Sequence, residues 1–481
     1  MRALRGSDAF VTGVWERDLR TTYMAPAALP APVGACYLVP MIRADSDKAL
    51  IRAIGVWGLS AAIFNTTVGG GIFRLPAAVA GLIGPAAPIA YLVCAITMGL
   101  IVLCFAEAGS RVSMTGGPYA YVEVVFGPYA GYMAGVLLWM LGTTAVASVA
   151  SAFAASLATL VPAMGSPFAR AGVLAAVFAF LAAVNVTGVK RGTRLVTIVA
   201  VAKLLPLLVL VAVGALAIKG PNLAIPAFPS GATLARTAIV LIFAFTGVES
   251  ALVPAGEVKD PSRTVPRAIA IAMIGVTLLY LAVHTVAQGV MGSDLLAQQK
   301  SAPLAGVAEQ VMGSPGRLLL LVGACISMFG YVSGMTLAVP RALFAFARDG
   351  FLPKVIGRVH PEYKTPHVAI IVQSAIVCAL SIANEFEALA VLANLSALLL
   401  YAACALANIP LRRRGIQDAG ATPFSLPGGP LIPLLSCAVI AWLCTSITLE
   451  EWVKVGATLA IASVLFVVTR RRSPGTVAEA A

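Results

Sequence analysis

Charge is scarce in this chain. Asp, Glu, Lys and Arg supply 11% of its 481 residues, against about 25% in an ordinary soluble protein. Mean hydropathy is +0.94 and 60% of the residues are hydrophobic, which excludes a water-soluble globular fold. Cysteine is sparse and scattered: the eight residues at 36, 94, 104, 325, 378, 404, 437 and 444 form no C-x-x-C pair and no zinc spacing. Membrane-buried cysteines of this kind act as small apolar packers, so redox and metal chemistry are not expected. There are three histidines, and no His, Asp and Glu cluster has catalytic or metal-ligand spacing. No G-x-x-x-x-G-K-S/T segment occurs, which removes ATP as an energy source on this chain. Neither an arginine ladder nor a T-V-G-Y-G-like filter is present, as a voltage sensor or potassium pore would require. No cofactor, no metal and no enzyme active site are therefore expected.

What the chain has instead is apolar length. Twelve runs of roughly 20 residues, each long enough to cross about 30 Å of hydrocarbon, lie near 53–81, 84–108, 128–160, 168–188, 195–219, 233–256, 267–292, 317–346, 367–384, 386–410, 430–447 and 449–469. No segment between them is long enough to fold alone. The net charge of +13 does not mark a nucleic-acid partner, because its distribution alternates with the loops. One side carries Arg111; Lys190, Arg191 and Arg194; Lys259, Arg263 and Arg267; Arg348, Lys354, Arg358 and Lys364; Arg412 to Arg414; and Arg470 to Arg472. The other carries only Arg170, Lys219, Arg236, Lys300, Arg317 and Lys454. The positive-inside rule puts both termini in the cytoplasm of a multi-pass protein of the cytoplasmic membrane.

Residues 1–47 mix charges with Pro-Ala-Pro runs and read as a disordered cytoplasmic tail. The abrupt change at Met41 to Ser46 raises a second expectation, that translation starts at Met41. Residues 48–415 form the transport core, 416–470 two additional membrane helices, and 471–481 a C-terminal tail.

Two of the apolar runs are interrupted at their centres. The first break is Val68-Gly69-Gly70-Gly71-Ile72-Phe73, with Pro76 beyond it; the second is Phe243-Ala244-Phe245-Thr246-Gly247-Val248-Glu249, with Pro254 beyond it. An unpaired backbone group in hydrocarbon costs several kcal/mol, so irregular backbone persists at membrane depth only beside a protein-buried or water-filled cavity. A matching pair of breaks in two halves of a chain is the sequence signature of a transporter's binding site, and five spans per half set the halves in opposite orientations. Three glycines let a ligand reach the backbone. The half-helix starting near Ile72 presents free N–H groups and a positive dipole end to a carboxylate. Carbonyls of the preceding half, with the hydroxyls of Thr66 and Thr67, face an ammonium or cation. Small residues serving only close helix packing are the alternative reading of the glycines.

The ionisable residues inside the spans sharpen this. Glu249 is a gate or proton-site candidate, or else a buried carboxyl bonding the exposed backbone of the break. Lys203 sits mid-span and must snorkel, pair or lose its proton; it is a coupling candidate. Arg74, two residues before Pro76, is an outer-gate charge or a loop-paired arginine. Phe243 and Phe245 read as pocket walls, His284 as a packing residue with no role, and Glu107 with Arg111 as structural caps.

These motifs resemble one family. Val68 to Phe73 with Pro76 is similar to the Gly-small-Gly-Ile-Phe motif in the first span of amino acid transporters of the amino acid–polyamine–organocation superfamily. Phe243 to Ser250, continuing through Pro254 to Pro261 and Val265 to Ala268, resembles their sixth span and following loop, and looks most like the arginine–agmatine antiporter branch. Thr115 to Tyr121 with Phe126 to Pro128, and Arg341 with Ala347 to Gly350 and Pro353, match further segments, so the likeness covers about 48–415. It implies an all-α membrane protein of twelve transmembrane helices, a five-plus-five inverted repeat with discontinuous first and sixth helices plus two C-terminal helices. The site implied lies between spans one, three, six, eight and ten. There the substrate carboxylate meets amides near Gly69, Gly70 and Gly71, and its ammonium meets carbonyls near Thr66, Thr67, Val68 and Phe243, Ala244, Phe245 and Thr246. Lys203 resembles the fifth-span lysine of proton-coupled or sodium-independent members, which favours protons or exchange. Where the antiporter branch has tryptophan, this chain has Phe243 and Met335; since Trp is the best cation–π partner, a neutral, apolar amino acid is expected over a cationic one or a polyamine. The partners expected are that solute, the bilayer and protons, in a monomer or homodimer. A membrane-embedded enzyme and a channel or receptor are the readings from other classes.

Overall fold

In lipid every backbone polar group must be satisfied within the protein, and long apolar segments do this by coiling. The computed structural model describes residues 54–112, 117–187, 203–253, 258–348, 351–363, 365–417, 422–426 and 428–472. Outside the described residues lie the 1–47 tail with its Met41 start, the loop cations Lys190, Arg191, Arg194 and Lys364, the motif residues Thr115, Gly116, 254–257, Asp349 and Gly350, and 473–481; so do the side chains of Arg470 to Arg472.

The described residues are mostly helical, and among them there is no strand, only an isolated bridge pairing Ile54 with Val258. The first helices are α1 (Val56–Thr67), α2 (Gly71–Ile83), α3 (Ala87–Arg111), α4 (Pro118–Phe126), α5 (Pro128–Leu160), α6 (Pro167–Thr187) and α7 (Leu204–Gly214). The middle of the chain forms α8 (Gly231–Phe245), α9 (Val248–Ala251), α10 (Pro261–Met291), α11 (Ser293–Gln298), α12 (Pro303–Ala338) and α13 (Pro340–Arg348). The last are α14 (His367–Ala383), α15 (Phe386–Arg413), α16 (Leu431–Cys444) and α17 (Leu449–Arg472). Prolines open many of them, where a missing N–H costs nothing.

Among the described residues eight helical stretches are long and apolar enough to cross a membrane, with Leu204–Ala217, His367–Ala383 and Leu431–Cys444 as shorter apolar helices. This count differs from twelve for physical reasons. The half-helix α1 has only 12 residues, and α2 runs through a single turn into α3, giving one stretch of 41 residues. The start of the fifth expected span, 195–202, lies outside the described residues.

Both predicted interruptions are present: α1 stops at Thr67 and α2 begins at Gly71, while α8 stops at Phe245 and α9 begins at Val248. Around them α15 packs along α5, α10 along α3 and α1, and α12 along α5. Large apolar side chains such as Trp57, Phe168, Leu216, Phe228 and Leu449 are exposed on the outer surface, an arrangement water would penalise and lipid does not. The final helix is tied in by polar contacts: Arg236 of α8 reaches Glu451 at 3.3 Å, and Tyr129 of α5 meets Ser463 of α17 at 2.9 Å.

At one end of the bundle the fully buried Glu107 of α3 is held by Arg111, at 3.1 Å, and by Arg412 of α15. It also accepts from the Leu426 amide at 3.3 Å, and Arg412 donates to the Gly429 and Leu426 carbonyls. The caps expected at Glu107 and Arg111 thus belong to a wider clamp that fastens the 422–426 segment to α3 and α15.

Candidate functional site

The two breaks touch each other. Gly247 has φ of 125°, a conformation L side chains rarely adopt, and a Cβ there would lie 2.7 Å from the Thr66 carbonyl oxygen and 2.9 Å from the Thr67 nitrogen. Only glycine lets the two unwound backbones meet. The Thr66 hydroxyl fastens the contact by donating to the Gly247 carbonyl at 3.0 Å.

The loosened backbone groups are then satisfied by a few polar side chains. Lys203, 3% exposed, donates from Nζ to the carbonyls of Asn65 and Val68, both at 2.6 Å. It neither snorkels nor finds a carboxylate; it caps the C-terminal end of α1, where the dipole is negative. Tyr280 of α10 donates to the carbonyls of Thr67 at 3.0 Å and Ala244 at 2.8 Å, clamping the two breaks together. The Gly247 amide donates to both oxygens of Glu249, at 2.9 and 3.0 Å, and Tyr401 of α15 donates to Glu249 Oε2 at 2.7 Å. Of the two roles expected for Glu249, the geometry matches the second: its carboxyl bonds the exposed backbone of its own break. Thr246 returns its hydroxyl to the Phe243 carbonyl at 2.9 Å.

Other polar groups at the breaks stay open. Among the described residues no internal acceptor meets the amides of Gly70, Gly71 and Ile72 at the start of α2, and the buried Thr67 hydroxyl has no partner. The glycines are closely covered: a Cβ at Gly69 would meet the Tyr331 ring at 3.2 Å, one at Gly70 would meet Val149 and Met328 at 3.0 and 3.1 Å, and one at Gly71 would meet Phe243 at 3.3 Å.

A narrow cavity opens beside the junction. Thr66 comes from the first break, Thr246, Gly247, Glu249 and Ser250 from the second, Leu141, Gly142 and Ala145 from α5, and Tyr331 and Met335 from α12. Of the sequence-predicted residues, Thr66, Thr246, Glu249 and Met335 are brought together here. Phe243 and Phe245 do not line it. Phe243 stands edge-on to Phe386, with ring centres 5.3 Å apart, and Phe245, 1% exposed, packs edge-on against Tyr280 in the core. Arg74 donates to the Ser301 carbonyl at 3.0 Å, lies 4.0 Å from Glu387 and sits 5.7 Å above the Phe386 ring. It is a loop-paired arginine stacked on the ring that Phe243 abuts.

Residues 54–469 match the family model described as amino acid permease. The chain belongs to the amino acid permease family. The permease is 26% identical over 424 residues to a serine/threonine exchanger of Bacillus subtilis, an alignment covering 86% of this chain and 95% of that protein. It is 28% identical over 421 residues to a branched-chain amino acid permease of the same organism, covering 82% of this chain and 88% of that one. An uncharacterized transporter of Mycobacterium tuberculosis is 30% identical over 409 residues, covering 84% and 88%. These relatives are named as an exchanger, a permease and a transporter.

Sequence reasoning missed Tyr280 and Tyr401, which bond the permease's junction, and Tyr331, which covers Gly69 and lines the cavity. Their one signal is a polar tip on a large ring inside an apolar run, as in Leu279-Tyr280-Leu281 and Leu400-Tyr401-Ala402. Which tip finds a carbonyl depends on helix rotation, which one sequence does not give.

Proposed function

We propose that this permease is a secondary active transporter of neutral, apolar amino acids, working by alternating access at the junction of the two broken helices. The observation that carries the reading is the lining of the cavity. Leu141, Ala145 and Met335 supply an apolar wall, and the single carboxylate there, Glu249, already accepts from the Gly247 amide and the Tyr401 hydroxyl. No free negative group is left in this lining for a guanidinium or a second amine. The serine/threonine exchanger and the branched-chain permease among the relatives are both named for neutral amino acids, and the second for apolar ones, which supports a neutral substrate.

In this reading the substrate carboxylate takes the open amides of Gly70, Gly71 and Ile72 at the start of α2, beside Gly69, and its ammonium takes carbonyls of the two breaks. Phe243, Phe386 and Arg74 close the route on one side, and Tyr331 on Gly69 and Met335 line the other. Lys203 links occupancy to proton movement or exchange, since its ammonium holds the C-terminal end of α1. Twelve spans in a five-plus-five inverted arrangement with both termini cytoplasmic complete the picture, supported by the paired breaks and the one-sided loop cations. The narrower likeness to the arginine–agmatine branch rests on the motif residues alone.

The test is uptake into proteoliposomes of labelled leucine, serine and arginine. Saturable accumulation, or one-for-one exchange, of a neutral amino acid is expected, with arginine excluded, and Gly70→Val abolishes it while inserting normally. Preferred transport of arginine or a polyamine overturns the substrate assignment. Absence of any stoichiometric flux overturns the transporter.

A further inference from the structure

His284 is not a satisfied packing residue. It lies on α10, 1% exposed, and Nε2 meets Gln288 Oε1 at 3.1 Å. The amide nitrogen of Gln288 donates to the Pro85 carbonyl at 3.0 Å and the Asn222 carbonyl at 3.1 Å. Both amide hydrogens are committed, so Oε1 is turned to the histidine and can only accept. The imidazole is therefore the Nε2–H tautomer, and Nδ1 carries a bare lone pair. Among the described residues Nδ1 has no partner. The ring beside it, Tyr91 of α3 with centres 4.6 Å apart, has a buried hydroxyl that also lacks one. Two neighbouring orphans, one an unused acceptor and one an unused donor, are costly in a membrane interior unless something uses them.

The nearby cations are directed elsewhere: Lys203, just before α7, is held by the Asn65 and Val68 carbonyls, and Lys219, whose amide donates to the Gly289 carbonyl at 2.9 Å, is exposed. From α3 come Tyr91 and Cys94, and from α10 itself Tyr280. The helix α1, the described part of α7 and the single turns 215–217 and 220–223 have no titratable side chain. On the other elements packed against α10, Arg74 of α2 is engaged by Ser301, Asp294 of α11 by Ser293, and Glu309 and Arg317 of α12 by each other at 3.0 Å; Cys325 and Tyr331 are the remaining titratable groups of α12.

We propose that His284 is a proton-binding site of the permease, distinct from the broken-helix junction and loaded at Nδ1. In the loading step Nδ1 takes a proton from a hydronium ion. Imidazolium and water result, and the Nε2–H bond to Gln288 becomes charge-assisted. The consequence for transport rests on the function proposed above: His284 stands one helical turn from Tyr280, the residue that clamps both breaks, so charge at 284 acts on that clamp.

The test separates site from consequence. In full-length protein in lipid, a His360→Gln/His367→Gln variant leaves His284 as the single imidazole, and 15N NMR follows it from about pH 4 to 8. Titration at Nδ1 is expected; an imidazole that does not titrate in this range overturns the site, whatever transport does. In proteoliposomes His284→Gln keeps amino acid counterflow at equal pH, while the ratio of net uptake at acid and neutral external pH falls to about one. A wild-type pH profile in His284→Gln overturns the coupling role. Absence of counterflow in the unmodified protein counts against the transport reading and leaves the titration result standing.

Discussion

Gly247→Ala tests the physical core of the site. At φ of 125° an alanine is in a region nearly reserved for glycine, at a cost of about 1–3 kcal/mol. Its methyl would also stand 2.7 Å from the Thr66 carbonyl oxygen, where ordinary contact begins at 3.4 Å. The obstacle is backbone, not a flexible side chain, so the breaks must separate by about 0.7 Å. The Thr66 bond to the Gly247 carbonyl, now 3.0 Å, then opens to about 3.7 Å, beyond hydrogen-bonding distance, and the Tyr280 bridge is strained as well. Losing one or two such bonds adds about 0.5–1.5 kcal/mol each, for a total of about 1.5–6 kcal/mol. The expected outcome is correct insertion, a melting temperature lower by several degrees in detergent, and an initial uptake rate down at least about tenfold, since about 1.4 kcal/mol corresponds to that factor. Gly456→Ala is the control: nothing lies within 4 Å of its Cβ position on α17, and alanine is the better helix former. Wild-type melting and uptake in Gly247→Ala would show that the two backbones do not meet as described.

Lys203→Met removes both donors to the Asn65 and Val68 carbonyls, and uptake should lose its response to an imposed pH gradient; an unchanged gradient response removes Lys203 from coupling. Tyr280→Phe leaves the Thr67 and Ala244 carbonyls without their shared donor, at about 1–3 kcal/mol, and should lower melting temperature and transport rate together, while an effect on neither refutes the clamp. Glu107→Ala leaves Arg111 and Arg412 facing each other around a buried vacancy. Breaking such a pair costs about 3–5 kcal/mol, with the lower half of that range expected because Arg412 is 18% exposed. Thermal stability in detergent reads this, and it should fall without changing which amino acids compete for uptake.

The breaks were legible because glycines in a row, or a glycine between aromatics and a carboxylate, weaken a helix where lipid most demands an unbroken one. Glu249 and Lys203 stood out because an ionisable group at that depth must be paired or put to use. The partners were not legible. That Lys203 would find the carbonyls of Asn65 and Val68, 138 and 135 positions away, depends on how two helices rotate against each other. Phe243 and Phe245 show the same limit: both sit next to the second break, yet one turns to Phe386 and the other to Tyr280. His284 looked inert by composition, and only the commitment of Gln288 to two distant carbonyls exposed its free nitrogen.

By itself the sequence determined that this protein lives in lipid as a set of apolar helices, where its helices must fail, and which charged residues would have to find a partner inside the membrane. These follow from local costs, since hydrocarbon tolerates neither charge nor unpaired backbone. Tertiary structure alone decided that the two failures touch at Gly247 and Thr66, that tyrosines on α10 and α15 complete them, and that the cavity beside them is walled by α5 and α12. Those are relations between segments far apart in the chain, and the energy that selects them resides in contacts that exist only once the helices have packed.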